Sequence, residues 1–232
     1  MLRRGFYLLM VCLLVAACQP AKAPQGGATG ETDALPVLER PAAAQRLLID
    51  GEASLLTVRV YRGGRMASLG HNHIISSRDL RGELWLTDSG TGSVFEIRMP
   101  AATLRVDDPE LRAAAGDEFP GELDENAISG TRSNMLSESQ LDADNWPTIV
   151  VRGQAEDMNS VTAWLAVKSQ VHAMQVPVTL TRSPGRVTIT GGFAVTQTEL
   201  GLEAFSVMLG ALRVEDRLDI NFRLEACQFL YR

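Results

Sequence analysis

Apolar and polar residues alternate with a period of two along most of the chain beyond residue 50. The clearest run is the last, where Leu218, Ile220, Phe222, Leu224 and Ala226 alternate with Arg217, Asp219, Asn221, Arg223 and Glu225. Successive side chains of a strand point to opposite faces, so this run predicts a strand with one face buried and the other in water. Similar runs cover residues 56–61, 84–87, 95–99, 161–167, 176–180 and 187–195. Turn formers separate them: Gly63-Gly64, Asp88-Ser89-Gly90, Asp157-Met158-Asn159 and Ser183-Pro184-Gly185. Many short strands at such spacing predict an all-β sandwich or barrel, and periodicity does not choose between the two. Gly191-Gly192 inside a strand pattern predicts a bulge or a bend. Residues 107–145 lose the period of two and are the expected helical excursion.

The N-terminus carries a different signal. Arg3 and Arg4 precede an apolar run from Gly5 to Ala17 that is too short for a comfortable membrane span, and Val15-Ala16-Ala17-Cys18 is similar to a bacterial lipobox. Residues 1–17 therefore read as a lipoprotein signal peptide and Cys18 as the lipidation site. Gln19, in place of aspartate after the cysteine, points to the outer membrane by analogy. Acyl chains bury ~0.8 kcal/mol per CH₂, so such an anchor holds the protein stably on the envelope membrane. Residues 18–46, rich in proline and glycine and without apolar periodicity, read as a flexible tether with a reach of ~30 Å. Residues 47–232 then form one domain.

Of three cysteines, Cys12 leaves with the signal and Cys18 is acylated, which leaves Cys227 and no internal disulfide. The alternation at the C-terminus places Cys227 with the charged residues, so it is expected to be exposed. The net charge is −6, and eleven carboxylates against Arg112 and Arg132 concentrate the negative charge in residues 107–145. That segment reads as a solvated acidic face, because its spacing lacks a calcium-binding loop. No basic stretch supports binding to nucleic acid or to an anionic lipid surface.

The candidate chemistry is sparse. His71 and His73, two apart on a strand, would share a side and with His172 could make a three-nitrogen metal site of a metal-dependent enzyme. The other reading, hydrogen-bonded structural histidines, is favoured. No Gly-x-Ser-x-Gly elbow, Walker motif or dinucleotide-binding glycine pattern is present, so neither a serine hydrolase nor a nucleotide cofactor is expected. The large apolar residues Phe95, Ile97, Trp164, Phe193, Val195, Phe205, Leu218, Ile220 and Phe222 either fill the interior, as in a structural envelope protein, or line a cavity.

An ordered set of motifs bears on that choice: Leu69-Gly70-His71-Asn72-His73, Gly82-Glu83-Leu84, His172 ahead of Val176-Pro177-Val178-Thr179-Leu180, and Gln197-Thr198-Glu199-Leu200-Gly201-Leu202. In this order, over about residues 50–226, they resemble the YceI-like family of bacterial periplasmic proteins. The extra histidine of the His71/His73 pair, Ala173 and Gln175 depart from the family pattern. The resemblance implies an antiparallel, eight-stranded, lipocalin-like barrel around a long isoprenoid lipid, with residues 107–145 as a partial lid. It also implies a binding protein and not an enzyme, with the nine large apolar residues above as the ligand contacts. The expected partner is a polyisoprenoid or quinone-like molecule held non-covalently, for carriage, storage or sensing.

Overall fold

The computed structural model describes residues 35–228; the expected signal peptide, Cys18 and most of the tether lie outside them. Among the described residues the strands are β1 (Gln45–Ile49), β2 (Leu55–Gly63), β3 (His73–Ser77), β4 (Arg81–Leu86), β5 (Val94–Pro100) and β6 (Arg105–Val106). After a helical segment come β7 (Thr148–Ala155), β8 (Ser160–Val167), β9 (Gln170–Ser183), β10 (Arg186–Thr196), β11 (Ser206–Val207) and β12 (Leu212–Cys227). The first six strands are three kinked pairs. β1 and β2 run along β12 in succession, with Ile49 opposite Ala226 and Leu55 opposite Arg223. β3 and β4 lie on β2 and β1, and β6 and β5 lie on β3 and β4. With β7, β8, β9, β10 and β12 these make eight antiparallel strands, and β1 and β2 against β12 close them into a barrel.

The first kink has a local cause. The Ser54 hydroxyl donates to the Asp50 carbonyl at 2.6 Å and accepts the Glu225 N–H at 2.9 Å, while the Asp50 N–H donates to the Glu225 carbonyl at 2.8 Å. A side chain thus replaces a ladder bond while five residues loop out. That loop also covers the outer face of the end of β12, so Glu225, Ala226 and Cys227 are all buried. Cys227 is therefore not exposed as its alternation predicted, because β12 is covered on both faces there.

Gly191 and Gly192 do not form a bulge. Their register with Phe222 and Asn221 is continuous. What ends at Gly191 is the pairing on the other side: β9 pairs with β10 only from Ser183 back to Val178, and its first half pairs with β8 alone. The barrel bends at this fork.

Two helices fill the connection from β6 to β7. α1 (Pro109–Ala115) starts with proline at a position that needs no N–H, and the Asp108 carboxylate caps the Glu110 and Leu111 N–H groups. α2 (Glu125–Leu136) is capped by Asp124, which accepts the Ala127 N–H. Between the helices Phe119 is fully buried, its ring 5.9 Å from that of Tyr61 on the outside of β2. This pins the connection to the barrel wall and returns α2 across one end.

Inside the barrel, one buried cluster surrounds Leu47, Leu84, Leu86 and Val187, and a second surrounds Val167, Leu200, Leu202 and Leu218. Val58, Val60, Leu141 and Ile149 reach both. The space between the clusters is not filled.

Candidate ligand-binding cavity

The inward residues of every barrel strand enclose a cavity of about 580 Å³. Pockets that hold small organic ligands run from roughly 300 to 1,000 Å³. Alternation sets the wall, as in β9, where Met174, Val176, Val178 and Leu180 face in. Two phenylalanines leave room by lying flat. The Phe95 ring crosses Gly153 on β7, and the Phe222 ring crosses Gly191 on β10, so a Cβ built on either glycine would come within 2.3 Å and 2.4 Å of the ring.

Of the residues expected to contact a ligand, Phe95, Ile97, Phe193, Phe205, Leu218, Ile220 and Phe222 line the cavity. Val195 faces inward too but packs into the cluster around Leu200 and Leu218. Trp164 is misplaced by the sequence reading. Its neighbours Ala163 and Leu165 face the cavity, so Trp164 points outward and packs with Leu35, Val150, Ala166 and Val171. Leu35 belongs to the end of the tether, which thus lies on the barrel, and the Arg152 guanidinium donates to the Pro36 carbonyl at 3.2 Å.

The polar part of the wall gathers where α2 crosses the end. Ala127, Thr131, Asn134 and Met135 share one helical face toward the cavity, beside His71 and His73. His73 Nδ1 lies 2.6 Å from the Asp107 carboxylate and Nε2 3.4 Å from the Thr131 hydroxyl. An ionised carboxylate only accepts, so Nδ1 carries the proton and Nε2 is left to accept from Thr131 in the neutral ring. Asp107 also accepts from the Ile74 N–H at 2.9 Å and from the buried Arg112 at 2.7 Å. Arg112 in turn donates to the carbonyls of Asn72, Gly121 and Pro120. Burial alone would raise the Asp107 carboxyl, but the His73 hydrogen bond, the Ile74 N–H and Arg112 together hold it below its ordinary value. The expectation of a solvated acidic face fails at Asp107, which is buried, 2% exposed, and paired with Arg112.

His71 and His73 are neighbours, with ring centroids 6.3 Å apart. His172 stands on β9 opposite Leu165, and its buried Nε2 makes no hydrogen bond among the described residues. No group of three or more His, Cys, Asp or Glu side chains converges as a metal site among the described residues. The sequence reading did not single out Thr131, Asn134, Met135, Asp107 or Arg112 as site residues. The helical spacing 127, 131, 134, 135 was the available signal for the first three.

Fold and cavity together define an antiparallel barrel of the lipocalin type with an apolar interior cavity. Among solved structures the chain is similar to BcnA from Burkholderia cenocepacia, with 14% identity over 76% of this chain and 98% of that one and a TM-score of 0.54. It is also similar to a polyisoprenoid binding domain from Saccharophagus degradans implicated in plant cell wall breakdown, with 12% identity over 79% and 98% and a TM-score of 0.50. The Campylobacter jejuni YCEI protein aligns at 8% identity over 66% and 82%, with a TM-score of 0.47. No family model and no curated protein matches the sequence. The chain has the YceI-like barrel fold.

Proposed function

We propose that the barrel binds one long hydrophobic molecule of isoprenoid type, its chain in the apolar cavity and its polar end at His71, His73 and Thr131. The observation that carries this reading is the unfilled 580 Å³ interior, walled almost entirely by apolar side chains and polar at the end crossed by α2. A chain of about twenty carbons gains ~16 kcal/mol on leaving water, against a cost of association of ~4–15 kcal/mol, so binding of a long chain is favourable. The polyisoprenoid binding domain of S. degradans has the same fold, which supports the ligand class. We further propose that the protein is exported and anchored through Cys18 to the outer membrane, on the strength of the N-terminal motif. Its role there is carriage, storage or sensing of the lipid, without catalysis.

Mass spectrometry of an organic extract of the purified protein tests the reading directly. A long-chain isoprenoid, quinone or polyprenol is the expected species. Absence of any lipid, together with failure of solanesol to raise the melting temperature or to displace a fluorescent fatty probe, would refute it. Incorporation of labelled palmitate that Cys18→Ser abolishes is the expected result for the anchor, and a wild type that takes up no label refutes it.

A further inference from the structure

Leu69, Phe205, Val207, Met208 and Leu209 are large apolar side chains exposed to solvent, and Leu209 is fully so. They belong to two segments that the fold brings side by side, residues 62–72 and 204–214. The Met66 N–H donates to the Ala211 carbonyl at 2.8 Å, Gly63 pairs with Arg213, and Gly70 abuts Leu212. Met208 and Leu209 both hold left-handed backbone, with φ of 53° and 55°. Two successive non-glycine residues rarely adopt it, and here it turns two apolar side chains away from the protein. The same segments reach the cavity, whose lining includes Gly70, His71, Phe205 and Leu212.

The charge around these side chains is predominantly positive. Residues 62–72 and 204–214 contain Arg62, Arg65 and Arg213 in a chain of net charge −6; Glu215, which lies against Gly63, pairs with Arg213 at 3.7 Å, while Arg62 and Arg65 make no ion pair among the described residues. All three arginines are exposed. An apolar tip ringed by cations at the rim of an apolar cavity matches the chemistry of an anionic bilayer surface, where acyl chains take the tip and headgroups take the guanidinium groups. From this geometry we infer that the loop around Met208 and Leu209, with Leu69, inserts into an anionic phospholipid bilayer and sets the cavity mouth against it. The inference rests on the proposed ligand reading for its purpose, which is to let an apolar chain pass between bilayer and barrel without crossing water. Its evidence is independent of that reading.

Leu209→Trp in the full chain places an indole at the tip. Vesicles containing phosphatidylglycerol with brominated acyl chains should quench this indole and shift its emission to the blue, beyond any change in the wild-type tryptophans. Met208→Ser in the same background should reduce the quenching several-fold. Replacing Arg65 and Arg213 together by glutamine should weaken it ~10- to 30-fold at low salt, at about 1 kcal/mol per charge. The comparison within one chain removes any contribution of the N-terminal anchor, which all variants share. An indole that keeps its aqueous emission on these vesicles overturns the inference. So does an emission shift without vesicles that grows with protein concentration, since the tip then meets a second copy. Solanesol binding by the same preparations reports on the cavity separately: quenching lost with solanesol bound refutes docking alone, and quenching present with no solanesol bound refutes the ligand reading alone.

Discussion

The wall around Phe95, Phe193 and Phe222 and the node around Asp107 are both withdrawn from water, and they resist change in opposite ways. The wall faces empty space, so its side chains have slack and any apolar shape of the right size is tolerated. The node has none: Asp107 meets three donors and Arg112 four acceptors, at 2.6–3.1 Å. In the proposed function, breadth of ligand choice would belong to the first region, while the second fixes the placement of α2. Each can be tested by asking what a single substitution does there.

The largest effect is expected at the node. Arg112→Met leaves a buried carboxylate with one charged partner fewer, and the loss of stability should be ~3–5 kcal/mol by denaturant titration. A loss below about 1 kcal/mol would mean that the node is wetter than the structure shows. The same node sets a pH dependence. The Asp107 carboxyl is held below its ordinary value, so its contribution is fully present above the unfolded-state value and disappears as pH falls through the lower folded one. Stability measured from pH 7 downward should therefore fall in the acid range, and Asp107→Asn should flatten that part of the profile.

At the wall the effect of truncation is smaller. Phe95→Ala in a filled core costs ~3–5 kcal/mol, but this ring already borders a cavity and should cost about half as much. The same change should lengthen the longest isoprenoid alcohol that raises the melting temperature. A full core-sized loss would show that the interior collapses around Phe95 in solution. The smallest effects should come from Thr131→Val, which removes one hydrogen bond to His73 at ~0.5–1.5 kcal/mol. Trp164→Leu, on the outside, should leave the ligand profile unchanged, and a shortened profile would contradict its outward placement.

How much of this was legible in the sequence follows from where water is. Strands with one wet face announced themselves, as at residues 217–226, and all four expected turns stand where glycine, proline and asparagine placed them. β7 and β3 escaped notice because both their faces are covered. Val150 lies under Leu35, and Ile74 and Ile75 are buried together, so no alternation marks them. Trp164 was misjudged by size, although the parity of Val161, Ala163 and Leu165 already excluded it from the cavity. The arginines of the rim were invisible for another reason. Arg62 and Arg65 are about 150 positions from Arg213, and only the pairing of β2 with β12 makes them one patch.

The crossed pairs of phenylalanine and glycine give the barrel a control that no ligand contact reveals. Each ring stays against the wall only while the neighbouring strand offers a bare Cα. A methyl at residue 153 would swing the Phe95 ring toward the lumen like a partition, whereas one at residue 191 would also meet the Pro177 carbonyl at 2.6 Å and so disturb the strand itself. The length of molecule that the cavity would admit can thus drift during evolution through alanine at residue 153, with every aromatic residue of the wall retained.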